Sequence, residues 1–485
     1  MSIRAYGVLI NPQSWIAIFF IARLPNVRTG LNDSFEFRQT QTAWGIREVA
    51  RHGFNLFHLQ LPVLGRPFEI PFEFPVFQNI AGFTSWMFHL SPSTGGRLTS
   101  LFFYCLSMAM LVQISNELFT KKYLHLLLPV LMLTPYALEW SDACLIESTS
   151  TFFLLLGLWG LNRFITRDKN SYWIIVVLGF ALSALIKITT AVPCIIFYFF
   201  FFVKRSKTNF TSPRNLFAIS LLGLSVMPSL FWTKFADTTK SRSIWTEWLT
   251  SRNLMTWNFG SPESRLVLKN WQSVGERFFI IANLLIIWIL FSIVFRRLKN
   301  QETWALTLAV VSPPLIFFNL YVVHDYYYLG IIFGLIMLVA HLFDTSDKKL
   351  GNALRKTYGV MVLATVILSW VSLATNTNYQ DVLEMPRNNI PALSKIIADN
   401  SLPSEESLVI GCDWDPTVLY YADRKGIASP AGVGGVQAVL DTLKKSSNRN
   451  EISYLAICPG VSIPDKLNGA KLKRVSSSFY RLQLD

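Results

Sequence analysis

The residues best able to do chemistry lie in a polar stretch just after the first apolar segment: Leu31-Asn-Asp-Ser-Phe-Glu-Phe-Arg-Gln-Thr-Gln-Thr-Ala43. Asp33 stands about ten residues beyond that segment, where a carboxylate at a membrane surface can take a proton from an attacking hydroxyl. Its other reading is an Asx turn or a helix N-cap opening the segment to Ala50. Arg38 shares that amphipathic segment with Gln41 and Arg47, and a guanidinium can hold a phosphate through two parallel hydrogen bonds. A salt bridge to Glu36 or Glu48 would use the same group otherwise. Glu73, in Phe72-Glu-Phe-Pro-Val-Phe77, sits among rings and prolines where an unpaired carboxylate is costly. It therefore pairs with an arginine such as Arg38 or Arg66, or serves as a second acidic or sugar-binding group.

Further along, Lys187 is the sole basic residue in a set of otherwise uncharged or acidic short loops, at the mouth of an apolar run. A lysine kept at that depth answers a negative charge, such as a lipid-linked phosphate, or snorkels to headgroups. His324 and Tyr327, in Val323-His-Asp-Tyr-Tyr-Tyr-Leu329, are donors that can stabilise charge building on a leaving phosphate. An interfacial aromatic belt accounts for the tyrosines as well, though not for the His-Asp pair. Glu139, Asp142 and Glu147 read mainly as topology-enforcing acids, with Glu147 the one able to border a cavity. Trp245, Trp248, Trp257 and Trp271 can stack on sugars or anchor an interface.

These groups need a scaffold, and composition supplies it. The 485 residues are 52% hydrophobic and only 15% charged, with a mean hydropathy of +0.37, which describes an integral membrane protein. A span needs roughly 20 apolar residues. That criterion gives about eleven, near residues 6–23, 98–115, 123–138, 148–163, 172–187, 190–203, 215–232, 278–295, 303–320, 327–343 and 357–374. The net charge of +14 is no sign of nucleic acid. Sixteen basic residues fall in alternate short loops (Lys121 and Lys122; Arg163 to Lys169; Lys204 to Arg214; Arg296 to Lys299; Lys348 to Lys356), whereas the opposite short loops hold only Lys187. The positive-inside rule then puts the N-terminus in the cytoplasm and the loops 25–96 and 233–276, with everything after Thr375, on the other face. No Ala-x-Ala cleavage site follows Met1-Ser-Ile-Arg-Ala-Tyr6, so the first span reads as uncleaved.

The expected fold class is thus an all-α polytopic membrane domain, residues 1–375, followed by a small extracytoplasmic α/β domain, residues 376–485. Ser407-Leu-Val-Ile-Gly411 and Ile452-Ser-Tyr-Leu-Ala-Ile457 predict strands, and the segments Ile390 to Asn400 and Gly435 to Lys445 predict helices, within a sheet of about four or five strands. Cys105, Cys144 and Cys194 read as packing residues; Cys412 and Cys458 each follow a predicted strand and form either a disulfide or two buried thiols. No glycine-rich nucleotide turn is present.

Asp33 with Phe37-Arg-Gln-Thr-Gln-Thr-Ala43, Phe72-Glu-Phe-Pro-Val-Phe77, Ala184-Leu-Ile-Lys-Ile-Thr189 and His324-Asp-Tyr-Tyr-Tyr-Leu329 together resemble the GT-C glycosyltransferases. Within these the likeness is to glycosyltransferase family 39 in the broad sense, the protein O-mannosyltransferase and lipid A aminoarabinose transferase group. The resemblance implies inverting transfer of a sugar from a polyprenyl-phosphate donor to a hydroxyl acceptor outside a membrane, for a bacterial chain the inner membrane. It implies Asp33 as general base, Arg38 and Lys187 near the lipid phosphate, and His324 at the last outer loop of a shared cavity. Ser34 stands where the group often has a second acid, and Phe74 where some members have a lysine. No cofactor is called for; the scheme does not require a divalent metal and the loop holds no Asp-x-Asp pair to bind one, though a metal stays open as an alternative. Asp413-Trp-Asp-Pro416 and Tyr420-Tyr-Ala-Asp-Arg-Lys-Gly426 in the tail have no role in this scheme. The competing readings are a transporter or flippase of lipid-linked sugars, with buried midplane polar groups and repeated halves, and a surface-polysaccharide polymerase or ligase.

Overall fold

The computed structural model describes residues 11–119, 124–167, 169–292, 300–346, 351–375, 390–429, 435–463 and 467–484. Met1 to Tyr6, Lys121, Lys122, Arg296, Arg297, Lys299, Lys348 and Lys349, all used in the topology argument, lie outside the described residues. Two compact units emerge. One comprises residues 1–27, 97–232 and 254–384, the other residues 28–96, 233–253 and 385–485.

The first unit is helical. Its apolar segments form α1 (Pro12–Arg23) and, after α2 (Glu36–His52) and α3 (Val76–Met87) of the second unit, α4 (Pro92–Leu118), α5 (Leu124–Leu133), α6 (Pro135–Trp140), α7 (Glu147–Thr166), α8 (Trp173–Ser206) and α9 (Pro213–Lys240). It continues through α10 (Met255–Phe259), α11 (Pro262–Leu266), α12 (Leu268–Ser292), α13 (Gln301–Ile316), α14 (Phe318–Val323), α15 (Leu329–Ser346) and α16 (Gly351–Thr375). Helices occupy every apolar segment identified in the sequence, but among the described residues four stretches are long and apolar enough to cross a membrane: Pro92–Leu118, Asn170–Ser206, Pro213–Lys240 and Asp325–Thr345.

One of these stretches carries two limbs. Inside α8, Lys187 has non-helical angles of φ −152° and ψ 85°. The first limb runs beside α7, with the Ser183 hydroxyl donating to the Ser150 carbonyl at 2.8 Å. There the helices close so tightly that a Cβ on Gly179 would come within 2.5 Å of the Gly157 nitrogen, the small-residue contact by which membrane helices gain packing. The second limb runs beside α13, where the Ser312 hydroxyl donates to the Pro193 carbonyl at 3.0 Å and Arg205 pairs with Glu302 at 3.1 Å. Arg163, at the foot of the first limb's partner, donates to Glu117 at 2.8 Å, and Arg205 donates to the carbonyl of the adjacent Leu118. Both ends of α8 therefore return to the same end of α4, and the chain reverses at Lys187.

The second unit joins three distant segments around a sheet. After α17 (Ala392–Asn400), β1 (Glu406–Ile410), α18 (Thr417–Ala422), β2 (Gly426–Ala428), α19 (Val436–Lys445), β3 (Ile452–Ile457), β4 (Ala470–Ser476) and β5 (Phe479–Leu484) form a five-stranded sheet in the order β2-β1-β3-β5-β4. β1 lies parallel to β2 and β3, with Ser407 opposite Gly426 and Val409 opposite Ala456; β5 is antiparallel to both its neighbours. The β1 and β3 residues are nearly all buried, as expected of strands covered on both faces. The outer edge of β2 is covered by the first loop: Leu64 bridges Ile427, Gly65 donates to Gly426 at 3.0 Å and Ala428 donates to Val63 at 2.7 Å. This satisfies backbone groups that an open edge would leave exposed.

Candidate active site

In the second unit α2 is the organising element. Its N-cap, Phe35, takes a left-handed conformation (φ 55°) and makes no side-chain cap. Asp33 precedes this position and is not the N-cap. It is buried, and the Gln39 side-chain amide, one turn into α2, donates to its Oδ1 and to the Ser34 carbonyl, the latter at 2.9 Å. Glu36 opens the helix beside it. Burial, followed by the charges of Asp415 and Asp33, raises the Glu36 carboxyl above the usual range.

Arg38 pairs with Glu73 at 2.7 Å and donates to Gln41, rather than meeting Glu36 or Glu48. Gln78 of α3 donates to the other Glu73 oxygen at 2.7 Å. Burial acts to raise Glu73, but the Arg38 charge and these hydrogen bonds outweigh it and hold the carboxyl below its usual value. The other candidate partner, Arg66, binds Glu406 at 2.7 Å instead.

The tail closes on the same helix. Trp414 packs edge-on against Phe37 at 4.6 Å and Trp248 at 5.4 Å, and lies 5.9 Å from Phe72. Thr40 and Thr417 share a hydrogen bond of 3.0 Å, while Arg47 and Arg51 reach Asp423 at 3.0 and 2.7 Å. Cys412 and Cys458 form a disulfide with a Cα–Cα distance of 5.7 Å, deciding between the two readings of the pair.

In the first unit, three candidates come together at the α8 reversal. The Lys187 ammonium lies 3.4 Å from the centre of the Tyr327 ring and 5.1 Å from that of Tyr326, and pairs with Glu147 at the start of α7. His324 stacks on Tyr327 at 5.5 Å and 19°. The 3₁₀ turn carrying them is fixed through Asp325, whose carbonyl accepts from the Tyr136 hydroxyl at 2.9 Å and whose carboxylate meets Arg277. Lys187 is only 6% exposed and Glu147 2%. The charge that Lys187 answers here is thus an intramolecular carboxylate, and Glu147, read from the sequence chiefly as a topology acid, is its partner. Asp142, at the neighbouring turn, likewise pairs with Arg23 at 2.8 Å.

Sequence reasoning gave Trp414, Asp415 and Arg277 no role at this site. Arg277 closes a loop that already holds Lys234, Lys240, Arg242, Arg252, Arg265 and Lys269, so nothing in the sequence set it apart as Lys187 was. Asp33, Arg38 and Glu73 belong to the second unit, and Lys187, His324 and Tyr327 to the first. Among the described residues no group of three or more His, Cys, Asp or Glu side chains is arranged to hold a metal ion.

Comparison with known proteins bears on the fold that carries these groups. Residues 71–232 match the family model described as dolichyl-phosphate-mannose-protein mannosyltransferase. No curated protein matches the sequence. Among solved structures, ArnT from Cupriavidus metallidurans bound to undecaprenyl phosphate is similar with a TM-score of 0.56 at 10% identity, over 96% of this chain and 97% of that one. The Archaeoglobus fulgidus oligosaccharyltransferase aligns at a TM-score of 0.55 and 12% identity, over 91% of this chain and 69% of its own. The arabinofuranosyltransferase AftD from Mycobacteria aligns at 0.54 and 13%, over 92% of this chain but 37% of its own length. The fold is that of the GT-C membrane glycosyltransferases.

Proposed function

We propose that this chain, a membrane protein of the GT-C class, transfers a sugar from a polyprenyl-phosphate donor to a hydroxyl acceptor with inversion, outside the bacterial inner membrane. The observation that carries the reading is the Lys187, Tyr327 and His324 cluster, built where a membrane-embedded helix pair reverses. A cation retained there at the cost of a buried counter-carboxylate is suited to a diester phosphate arriving on a lipid.

In this reaction the acceptor oxygen attacks the anomeric carbon, the bond from that carbon to the phosphate oxygen breaks, and the lipid phosphate leaves with the electron pair. Asp33 takes the acceptor's proton, and the amide of Gln39 holds the carboxylate in one orientation for it. Lys187 and His324 absorb the charge on the departing phosphate. Tyr327, beneath the ammonium, keeps Lys187 in place when the phosphate competes with Glu147 for it. Arg38, held by Glu73, is the second basic group for the lipid phosphate in this reading. No step requires a metal, and the partners are the donor lipid, the acceptor and the bilayer.

The test is incubation of the purified protein with a panel of polyprenyl-phosphate sugars, following release of the free lipid phosphate. Asp33→Asn is expected to insert and fold yet lose transfer by at least about a hundredfold, the range of a general base. Near-normal turnover by that variant removes Asp33 from the role. Lys187→Ala is expected to raise the donor KM and lower kcat together, because it touches both bound and departing phosphate.

A further inference from the structure

The tail motif Asp413-Trp-Asp-Pro416 stands where an open α/β sheet binds ligands. In the order β2-β1-β3, the chain leaves β1 to one side for β2 and crosses back to the other side for β3, so the strand order reverses between β1 and β3 and the crevice lies beyond their carboxyl ends. Cys412 follows β1, Cys458 follows β3, and their disulfide ties the two loops together at that point. The Trp414 turn begins at the next residue. Trp414, Phe37, Phe72 and Trp248 come from three separate chain segments, yet all four rings are only half-buried. Part of each ring thus stays accessible to a ligand. Acids rim the rings: Asp413 is exposed, Asp415 and Glu36 are half-buried, and Asp33 is buried at the foot of the same helix.

We propose that the Trp414 turn and the rings around it form the acceptor subsite of the reaction, taking a sugar ring that carries no negative charge. Aromatic faces receive the apolar C–H faces of a pyranose, and carboxylates accept from its hydroxyls. The same carboxylates repel phosphorylated and uronic acid sugars. Glu36 is held above the usual carboxylate range by burial first and then by Asp415 and Asp33, and Asp415 by burial first, against the hydrogen bonds from Thr417, with the charge of Asp413 adding to it; this agrees with a site already crowded with negative charge. The disulfide fixes the turn, so little ordering remains when the ligand binds.

This assignment rests on the glycosyltransferase reading, but its test needs no donor. Full-length protein is titrated calorimetrically with maltotriose and with trigalacturonate, a neutral and an anionic trisaccharide. Maltotriose is expected to bind at least about tenfold more tightly. Trp414→Ala is expected to weaken maltotriose by about tenfold, and Trp414→Phe, which keeps a ring, by less than about threefold. Asp415→Asn is expected to narrow the gap between the two sugars. Equal affinity for both, no binding of either, or maltotriose binding by Trp414→Ala at the wild-type level overturns the proposal. Should Trp414→Ala fail to fold, Trp414→Phe and Asp415→Asn decide it alone. Absence of lipid-phosphate release from every donor would instead remove the transferase reading, leaving a sugar-binding surface without that chemistry.

Discussion

Lys187 is buried between a carboxylate and two tyrosine rings, so neither it nor Glu147 can be altered alone without cost. Removing one member of a buried pair leaves an uncompensated charge worth roughly 3 kcal/mol or more, whereas removing both leaves none. Glu147→Gln is therefore expected to lower the thermal midpoint of the purified protein more than the Glu147→Gln/Lys187→Met double variant does. Equal or larger loss in the double variant would show that the pair is not coupled. Arg38 and Glu73 follow the same logic in the other unit. Lys187 could be singled out from sequence because it breaks a topology rule, but its partner lies 40 residues away on another helix. Nothing in a linear pattern of acids tells which of Glu139, Asp142 and Glu147 will meet it.

At the scale of elements, the contact between α2 and the tail titrates in two opposite senses. Glu36 and Asp415 have raised carboxyls, burial being the first cause in each. Their contribution to stability is complete below the ordinary carboxylate pKa and is lost as pH rises through the raised values. Asp423 behaves inversely. Burial pushes it up, but hydrogen bonding to Arg51 and the charges of Arg47 and Arg51 bring it below its usual value, so its contribution is lost as pH falls through that lowered value. The expected midpoint falls with rising pH just above the ordinary carboxylate range, and Glu36→Gln/Asp415→Asn flattens that slope; an unchanged slope contradicts the assignment. The disulfide closes a 46-residue separation, which the loop-entropy estimate puts at about 4 kcal/mol. Cys412→Ser/Cys458→Ser is thus expected to make residues 390–484 far more sensitive to limited proteolysis, with unchanged sensitivity the contrary outcome. The strands β1 and β3 and helices α17 and α19 were legible from periodicity to within two residues. The reversal at Lys187 was legible too, since one helix of that length exceeds what a membrane needs. The loop strand beside β2 was not, because residues 62–65 meet β2 through backbone atoms and carry no strand alternation.

For the whole molecule, the loop charges of the sequence predict a topology with the N-terminus in the cytoplasm and the tail outside. A cysteine placed at exposed Thr211 is expected to react with a membrane-impermeant thiol reagent only after the membrane is opened, and one at exposed Ser404 in intact cells. Labelling of both from the same side would refute that arrangement. Neither Trp414 nor the edge of β2 could have been connected to the first loop by reading along the chain, because the tail looks self-sufficient there: alternating strands and helices, a change of composition and a disulfide of its own.

The pairing of Arg66 with Asn448 spans 382 positions. A ribosome makes the first of these long before the second, so the opening loop must stay unsatisfied while nearly all the helices are laid down, its ladder groups without their final strand. A fragment beginning near residue 385 would emerge with β2 bare along one side and a ready template for sticking to its own copies. Birth order, then, makes the last hundred residues the keystone that arrives after the arch, and a chain stopped short of them leaves its oldest loop waiting.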